Sequence, residues 1–300
     1  MKGSIHNIAA SIYHQFPYRI RRRISERKEF KVFPWAKKEL QSNKQFRNIC
    51  LGKRCFIIGN GPSLASLDFA SLANEYTFTF NQITRNPDFD KLRTNFHFWS
   101  DDRFFHLDTT RPEDMELLNI MKKVNSEKNH PVVFYTLKAY EMIKQYKLDE
   151  LLDIHYFSNG GAAVNNNVKH ELSPDHPYQG LSTTVHYAIC FAVYMGFKKI
   201  YLLGCDCSGF MSVANAKLNM AEKALYAYNI SENEKRRMER VARQTTMKQE
   251  LISAVDVFEK YEFMKRYCDA REVELYNATE GGLLDSVPQV DIKDVLYGNG

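Results

Sequence analysis

From Arg54 onward, short apolar runs alternate with stretches of helical periodicity: CFIIGN (55–60), YTFTFNQI (76–83), FHFWSD (96–101), PVVFYTL (131–137), DIHYFS (153–158), KIYLLGCD (199–206) and VELYNA (273–278). Continuous apolar strands separated by helices are what a sheet buried on both faces requires. The pattern therefore predicts an α/β fold, a Rossmann-like, mostly parallel sheet with helices on both faces. The best-marked helix follows Ser182, Thr183 and Thr184, with Val185, Tyr187, Ala188, Phe191, Ala192, Tyr194 and Met195 at helical spacing and Gly196 as its stop. Behind the first run, Gly59 and Gly61 permit close approaches or unusual backbone angles, and Pro62 suits a first helical turn, which together read strand, tight turn, helix. Residues 208–260 are charged and helical with no strand pattern, as expected of a helical lid. Residues 159–181, with Pro174, Asp175, His176, Pro177 and Gly180, read as a long polar loop at a strand end.

Composition adds a core and a location. The 300 residues are 44% hydrophobic and 13% aromatic, ample for a buried interior. No window resembles a transmembrane span or a signal peptide, so a cytosolic location is expected. The six cysteines (Cys50, Cys55, Cys190, Cys205, Cys207 and Cys268) sit mostly in apolar runs and read as buried free thiols. Cys205 and Cys207 form a C-x-C pair with no second Cys/His pair nearby to complete a zinc site.

Charge divides the chain. Residues 1–50 hold twelve Lys/Arg against Glu26, Glu29 and Glu39, a net of +9, so residues 51–300 come to −4 of the chain's total of +5. This predicts a basic amphipathic N-terminal extension over 1–50 and a nucleotide-binding catalytic domain over 51–300. A mildly acidic body with a basic arm is not the footprint of a nucleic-acid binder. The arm interleaves Ile12, Tyr13, Phe16, Tyr18, Ile20 and Ile24 with its cations. Two readings follow: a segment lying on an anionic membrane surface, at the inner face of the cell membrane, or a helix packing on the domain or on a partner subunit of a homo-oligomer.

In open α/β sheets, ligands bind outside the carboxyl ends of the strands. The turn from Gly59 to Ser63, Asn81, Asp101 and the helix start at Ser182, Thr183 and Thr184 should converge at that edge, and Asp206, which ends a later strand, is a candidate to join them. Asn60, Asn81, Ser63, Thr183 and Thr184 are neutral donors and acceptors suited to a base, a ribose and phosphate oxygens, which makes a nucleotide site without a phosphate-loop lysine. The third glycine of a dinucleotide fingerprint is missing, which argues against NAD. Asp101 and Asp102 invite a metal-bound nucleotide but also read as helix caps. His155, His170 and His176 flank or lie in the polar loop and are candidates for a general base, while Tyr226 and Tyr228 could reach a phosphate from the lid.

FIIGNGPSL, the strand ending at Asn81, FWSDDRFF, TTVHYAICFAVYMGFKKIYLLGCDCSG and YNATEGGLLDSVPQVDIKDVL, in that order, resemble the domain of hydroxymethylpterin diphosphokinase-like proteins and motility accessory factor glycosyltransferases. More distantly, they are similar to bacterial sialyltransferases that use CMP-activated donors. The resemblance spans about residues 54–297. It implies a nucleotide held by Asn60, Gly61, Asn81, Ser182 and Thr183, with Tyr226 and Tyr228 standing for lid tyrosines that contact the donor phosphate. The sialyltransferases' lid histidine, a general base, has no counterpart in residues 208–260.

The expected activity is a metal-independent glycosyltransferase that passes a CMP-activated acidic sugar to a surface glycan or glycolipid such as lipopolysaccharide or capsule, with no cofactor. A magnesium-dependent diphosphokinase, using Asp101, Asp102 and Asp206, and a non-catalytic nucleotide-binding protein are the alternatives.

Overall fold

The computed structural model describes residues 16–160, 162–163, 167–218, 226–241 and 245–298. The expectations placed on Ile12 and Tyr13, and on lid positions 219–225 and 242–244, lie outside the described residues. The strands are β1 (Arg54–Ile58), β2 (Tyr76–Phe80), β3 (Phe96–Trp99), β4 (Val132–Thr136), β5 (Asp153–Phe157), β6 (Ala162–Ala163), β7 (Tyr178–Gln179), β8 (Lys199–Leu203) and β9 (Glu274–Asn277). Around them run α1 (Tyr18–Val32), α2 (Ala36–Ser42), α3 (Phe89–Leu92), α4 (Pro112–Lys122), α5 (Tyr140–Gln145), α6 (Thr184–Tyr194), α7 (Gly209–Lys217), α8 (Glu232–Val241), α9 (Met247–Asp269) and α10 (Ile292–Tyr297).

Each of the seven apolar runs became a strand of one sheet, in the order β5-β4-β3-β2-β1-β8-β9. Every neighbouring pair is parallel, so all the carboxyl ends share one edge. Alternation along β1 sends Cys55 and Ile57 into the core on one face, with Phe78, Phe98, Phe134 and Phe191. Phe56 and Ile58 enter the other, with Leu40, Leu117, Trp99 and Tyr135. Because both faces are covered, the strands need no polar side, which is why they read as unbroken apolar runs.

Helix α6 is buried almost all round, His186 through Ala192 and Tyr194 included, because it lies under α9 on one face of the sheet. Gly196 closes it with φ +88°, a left-handed stop. Three helices, α7, α8 and α9, make up the described part of the excursion between β8 and β9. The six cysteines are all free and all but Cys207 are buried.

The basic leader packs on the domain. In α1, Arg21 and Ser25 are buried, the Glu29 carboxylate accepts from Ser158 Oγ at 2.7 Å, and the Tyr18 ring stacks on His170 with centroids 3.9 Å apart. Its outward row, Arg19, Arg23, Arg27 and Lys31, stays exposed. Ala36, Leu40, Phe46 and Cys50 are buried in the core, so residues 36–50, assigned to the extension by charge, are part of the domain by packing. No described helix is long and apolar enough to cross a membrane.

Candidate active site

The chain leaves β1 toward β2 on one side and β8 toward β9 on the other, so the crevice outside the ends of β1 and β8 is the switch point of the sheet. There the two strand ends lie against each other: Gly59 N donates to Leu203 O at 2.7 Å and Gly61 N to Gly204 O at 2.9 Å. A Cβ at Gly59 would stand 2.3 Å from Gly204 O, and one at Gly61 would stand 1.7 Å from Asp206 Oδ2. With φ −66° at Gly61, that glycine answers a close approach and not a left-handed backbone. The helix expected behind this turn is a five-residue 3-10 segment, Pro62–Ser66. It is too short to sum a useful dipole, so an anion here depends on side chains and loop N–H groups.

Next to it Asn81, the residue that follows β2, is held at φ +50°. Asn60 Nδ2 donates to Phe80 O at 3.2 Å, which joins the two turns. The amide oxygens of Asn60 and Asn81 are buried and have no hydrogen-bond partner among the described residues. The segment before α8 packs against both turns: Ala227 N donates to Asn60 O at 3.1 Å, and Asn86 Nδ2 donates to Ala227 O at 3.3 Å. On either side of Ala227, Tyr226 and Tyr228 stack with ring centroids 5.4 Å apart. Burial raises both phenol pKa values above the ordinary one, so each stays an O–H donor at neutral pH.

Two cavities adjoin at this point. The first, about 470 Å³, is walled by Gly59, Asn60, Gly61, Thr183, Asp206 and the α9 face of Ser253, Val257 and Tyr261. The second, about 560 Å³, is walled by Asn81, Gln82, Asp101, Arg103, Tyr228 and Arg237. Asn60, Tyr226 and Glu250 belong to both.

Of the residues expected at the site, Gly59, Asn60, Gly61, Asn81, Asp101, Thr183, Asp206, Tyr226 and Tyr228 come together on these walls. The others turn elsewhere for identifiable reasons. Ser63 donates its N–H and its hydroxyl to Asp206 at 3.2 and 2.8 Å, so the pair braces the turn. Ser182 bonds to the carboxylate of Asp256 on α9, and Thr184 to Ser100, leaving Thr183 as the cavity-facing member of the trio. None of the three histidines expected as a base lines either cavity, and His170 stacks on Tyr18 of α1. His155 sits on the edge strand β5 against Phe46, with Nε2 3.3 Å from Asp153, and His176 is 3.2 Å from Glu26 of α1. His97 and His186 are wholly buried, which lowers both to about 3, and they are neutral core residues. Cys205 and Cys207 line the first cavity, but burial pushes both thiols up to about 12, far from a reactive thiolate.

The carboxylates that a magnesium triphosphate would use do not gather. Asp206 is bound to Ser63, Asp101 is forked by Arg103 Nε at 2.8 and 3.0 Å, and Asp102 lies 3.4 Å from Lys138. Among the described residues no group of three His, Cys, Asp or Glu is placed to hold a metal ion. The residues present do not fit magnesium.

Sequence reasoning missed the charged wall of the second cavity. Glu234 and Arg237 form a buried bidentate pair at 2.8 and 2.7 Å, Gln82 Nε2 donates to Glu234 at 2.6 Å, and Arg237 lies over the Phe104 ring. It also missed Glu250 on the first turn of α9. A signal for that helix start was present, since Thr246 and Gln249 form a reciprocal capping box.

No protein-family model and no curated protein matches the chain. Among solved structures, the chain is similar to the sialyltransferase CstII from Campylobacter jejuni in complex with the substrate analogue CMP-3FNeuAc, at 18% identity, covering 79% of this chain and 86% of that chain with a TM-score of 0.41. It is also similar to the monofunctional alpha-2,3-sialyltransferase Cst-I from Campylobacter jejuni, at 16% identity, covering 83% of this chain and 82% of that chain with a TM-score of 0.45. The fold assignment rests on the strand order and pairing of this chain itself. The resemblance to hydroxymethylpterin diphosphokinase-like proteins gains no support from these comparisons.

Proposed function

We propose that this chain is a glycosyltransferase that takes a CMP-activated acidic sugar and adds it to a cell-surface glycan or glycolipid, working at the inner face of the cell membrane. The observation that carries the reading is the gathering of Asn60, Asn81, Tyr226 and Tyr228 around one crevice at the switch point, with two buried amide oxygens still free to accept. Cytosine and ribose present N–H and O–H donors, which such oxygens satisfy. The two phenols are O–H donors suited to the charge that grows on a leaving phosphate. Arg103, a half-exposed guanidinium at the second cavity, suits the carboxylate of an acidic sugar. The sequence resemblance to CMP-sugar transferases rests on the same residues and points the same way. The exposed row of Arg19, Arg23, Arg27 and Lys31 on α1 supports a membrane-facing side.

The test is a thermal-shift screen of the purified protein against CMP, CDP, UDP, GDP, GTP and ATP, with and without magnesium. A ligand bound at one hundred times its Kd adds about 2.7 kcal/mol to native stability. Stabilisation by CMP that does not depend on magnesium is the expected result. Magnesium-dependent stabilisation by a triphosphate, or no response to CMP, would overturn the reading.

A further inference from the structure

The transfer proposed above needs a group to take the proton of the attacking hydroxyl, and no histidine lines the described walls of either cavity. Four carboxylates do: Asp101, Asp206, Glu234 and Glu250. Three of them are committed. Asp101 is forked by Arg103, Asp206 holds the N–H and the hydroxyl of Ser63, and Glu234 is clamped by Arg237 and Gln82.

Glu250 is not committed in this way. Its one hydrogen bond comes from the Thr245 hydroxyl to Oε1, and Oε2 has no partner among the described residues. It is also the carboxylate shared by both cavities, in the wall between the compartment of the glycine turn and the compartment of Arg103. The helix start that carries it is fixed by the capping box of Thr246 and Gln249, so the carboxylate stands on a rigid element.

We infer that Glu250 is the general base of the reaction, an assignment that rests on the glycosyltransferase reading. The acceptor oxygen attacks the anomeric carbon of the donor and its proton passes to Glu250 Oε2. The bond from the anomeric carbon to the phosphate oxygen breaks, and its electron pair leaves on CMP. With water in place of a glycan, the same step releases CMP and free sugar, so the base can be tested before the acceptor is identified.

The experiment measures CMP release from CMP-N-acetylneuraminic acid and CMP-3-deoxy-manno-octulosonic acid by the full-length wild type, Glu250→Gln and Glu250→Asp, from pH 4.5 to 8.5. CMP binding to each protein is followed by thermal shift. Removing a general base costs roughly 10²- to 10⁴-fold in rate. Glu250→Gln is expected to bind CMP as the wild type does, to lose that factor in kcat with KM little changed, and to lose the acidic limb of the pH profile. Glu250→Asp should keep that limb at a reduced rate. Turnover by Glu250→Gln within threefold of wild type, an acidic limb that survives in it, or equal losses in both variants with CMP binding intact would overturn the assignment and leave the glycosyltransferase reading standing. A wild type that neither binds CMP nor consumes a CMP-sugar would overturn both.

Discussion

Individual positions in this protein owe their identity to very short-range constraints. Gly61 is a glycine because Asp206 and Gly204 occupy the space a Cβ would take, and Asp206 is there because it holds Ser63. His97 shows the same logic in the core. It is fully buried, its Nδ1 lies 2.8 Å from Thr79 Oγ1, and burial lowers its pKa to about 3, as it does for His186. Both folded values lie below the ordinary value near 6.5, so as pH falls from about 6.5 to 3 the unfolded chain binds protons that the folded chain refuses. The stabilisation is therefore complete above about pH 6.5 and is lost through that window, at about 1.4 kcal/mol per pH unit for each histidine. Urea unfolding at pH 7, 6 and 5 should show this fall. His97→Asn, which keeps a hydrogen-bonding group beside Thr79, should flatten it by one histidine's share, and parallel curves for wild type and variant would refute the account.

Among the elements, α9 links stability to the site. Its lower part packs Tyr261, Phe263, Met264 and Tyr267 into the core, while its first turns carry Glu250, Ser253 and Val257 along the cavity. The capping box at Thr246 satisfies N–H groups that would otherwise be left open at this end. Thr246→Ala should cost about 1 kcal/mol of stability, within the usual range of about 0.5–2 kcal/mol for a lost cap. Because the frayed turn is a cavity wall, the variant should also bind CMP more weakly, by roughly threefold or more. Denaturant unfolding together with a CMP titration checks both. Weaker stability with unchanged CMP affinity would separate the cap from the site.

At the scale of the whole molecule, the leader is both a structural part and a surface. Asn43 Nδ2 donates to Tyr156 O at 2.7 Å and to Pro174 O at 2.9 Å, and Leu40 is wholly buried, so removing the chain up to residue 45 would damage the fold itself. Charge reversal is the cleaner test of the exposed row. Arg19→Glu, Arg23→Glu and Arg27→Glu together should abolish sedimentation with phosphatidylserine-containing vesicles at low salt while leaving the melting temperature within a few degrees, each cation being worth about 1 kcal/mol near such a surface. Unchanged sedimentation would sink the membrane-facing proposal. The amino-acid sequence by itself determined the seven strands, helix α6 and its glycine stop, because burial on both faces writes an unbroken apolar run and a cap is a local chemical signal. It also marked the glycine turn and Asn81, since strand ends in such a sheet face one edge, and it marked Tyr226 and Tyr228 through the resemblance to CMP-sugar transferases. Only the tertiary structure decided that β8 returns beside β1 and makes the crevice, that Ser63, Ser182 and Thr184 brace neighbours while Thr183 faces the cavity, and that His155 and His176 lie elsewhere. It alone brought Arg103, Arg237 and Glu250 to the same walls. Those outcomes depend on which distant segments meet, and a charged residue on a helix carries the same local pattern whether it faces solvent or a binding cavity.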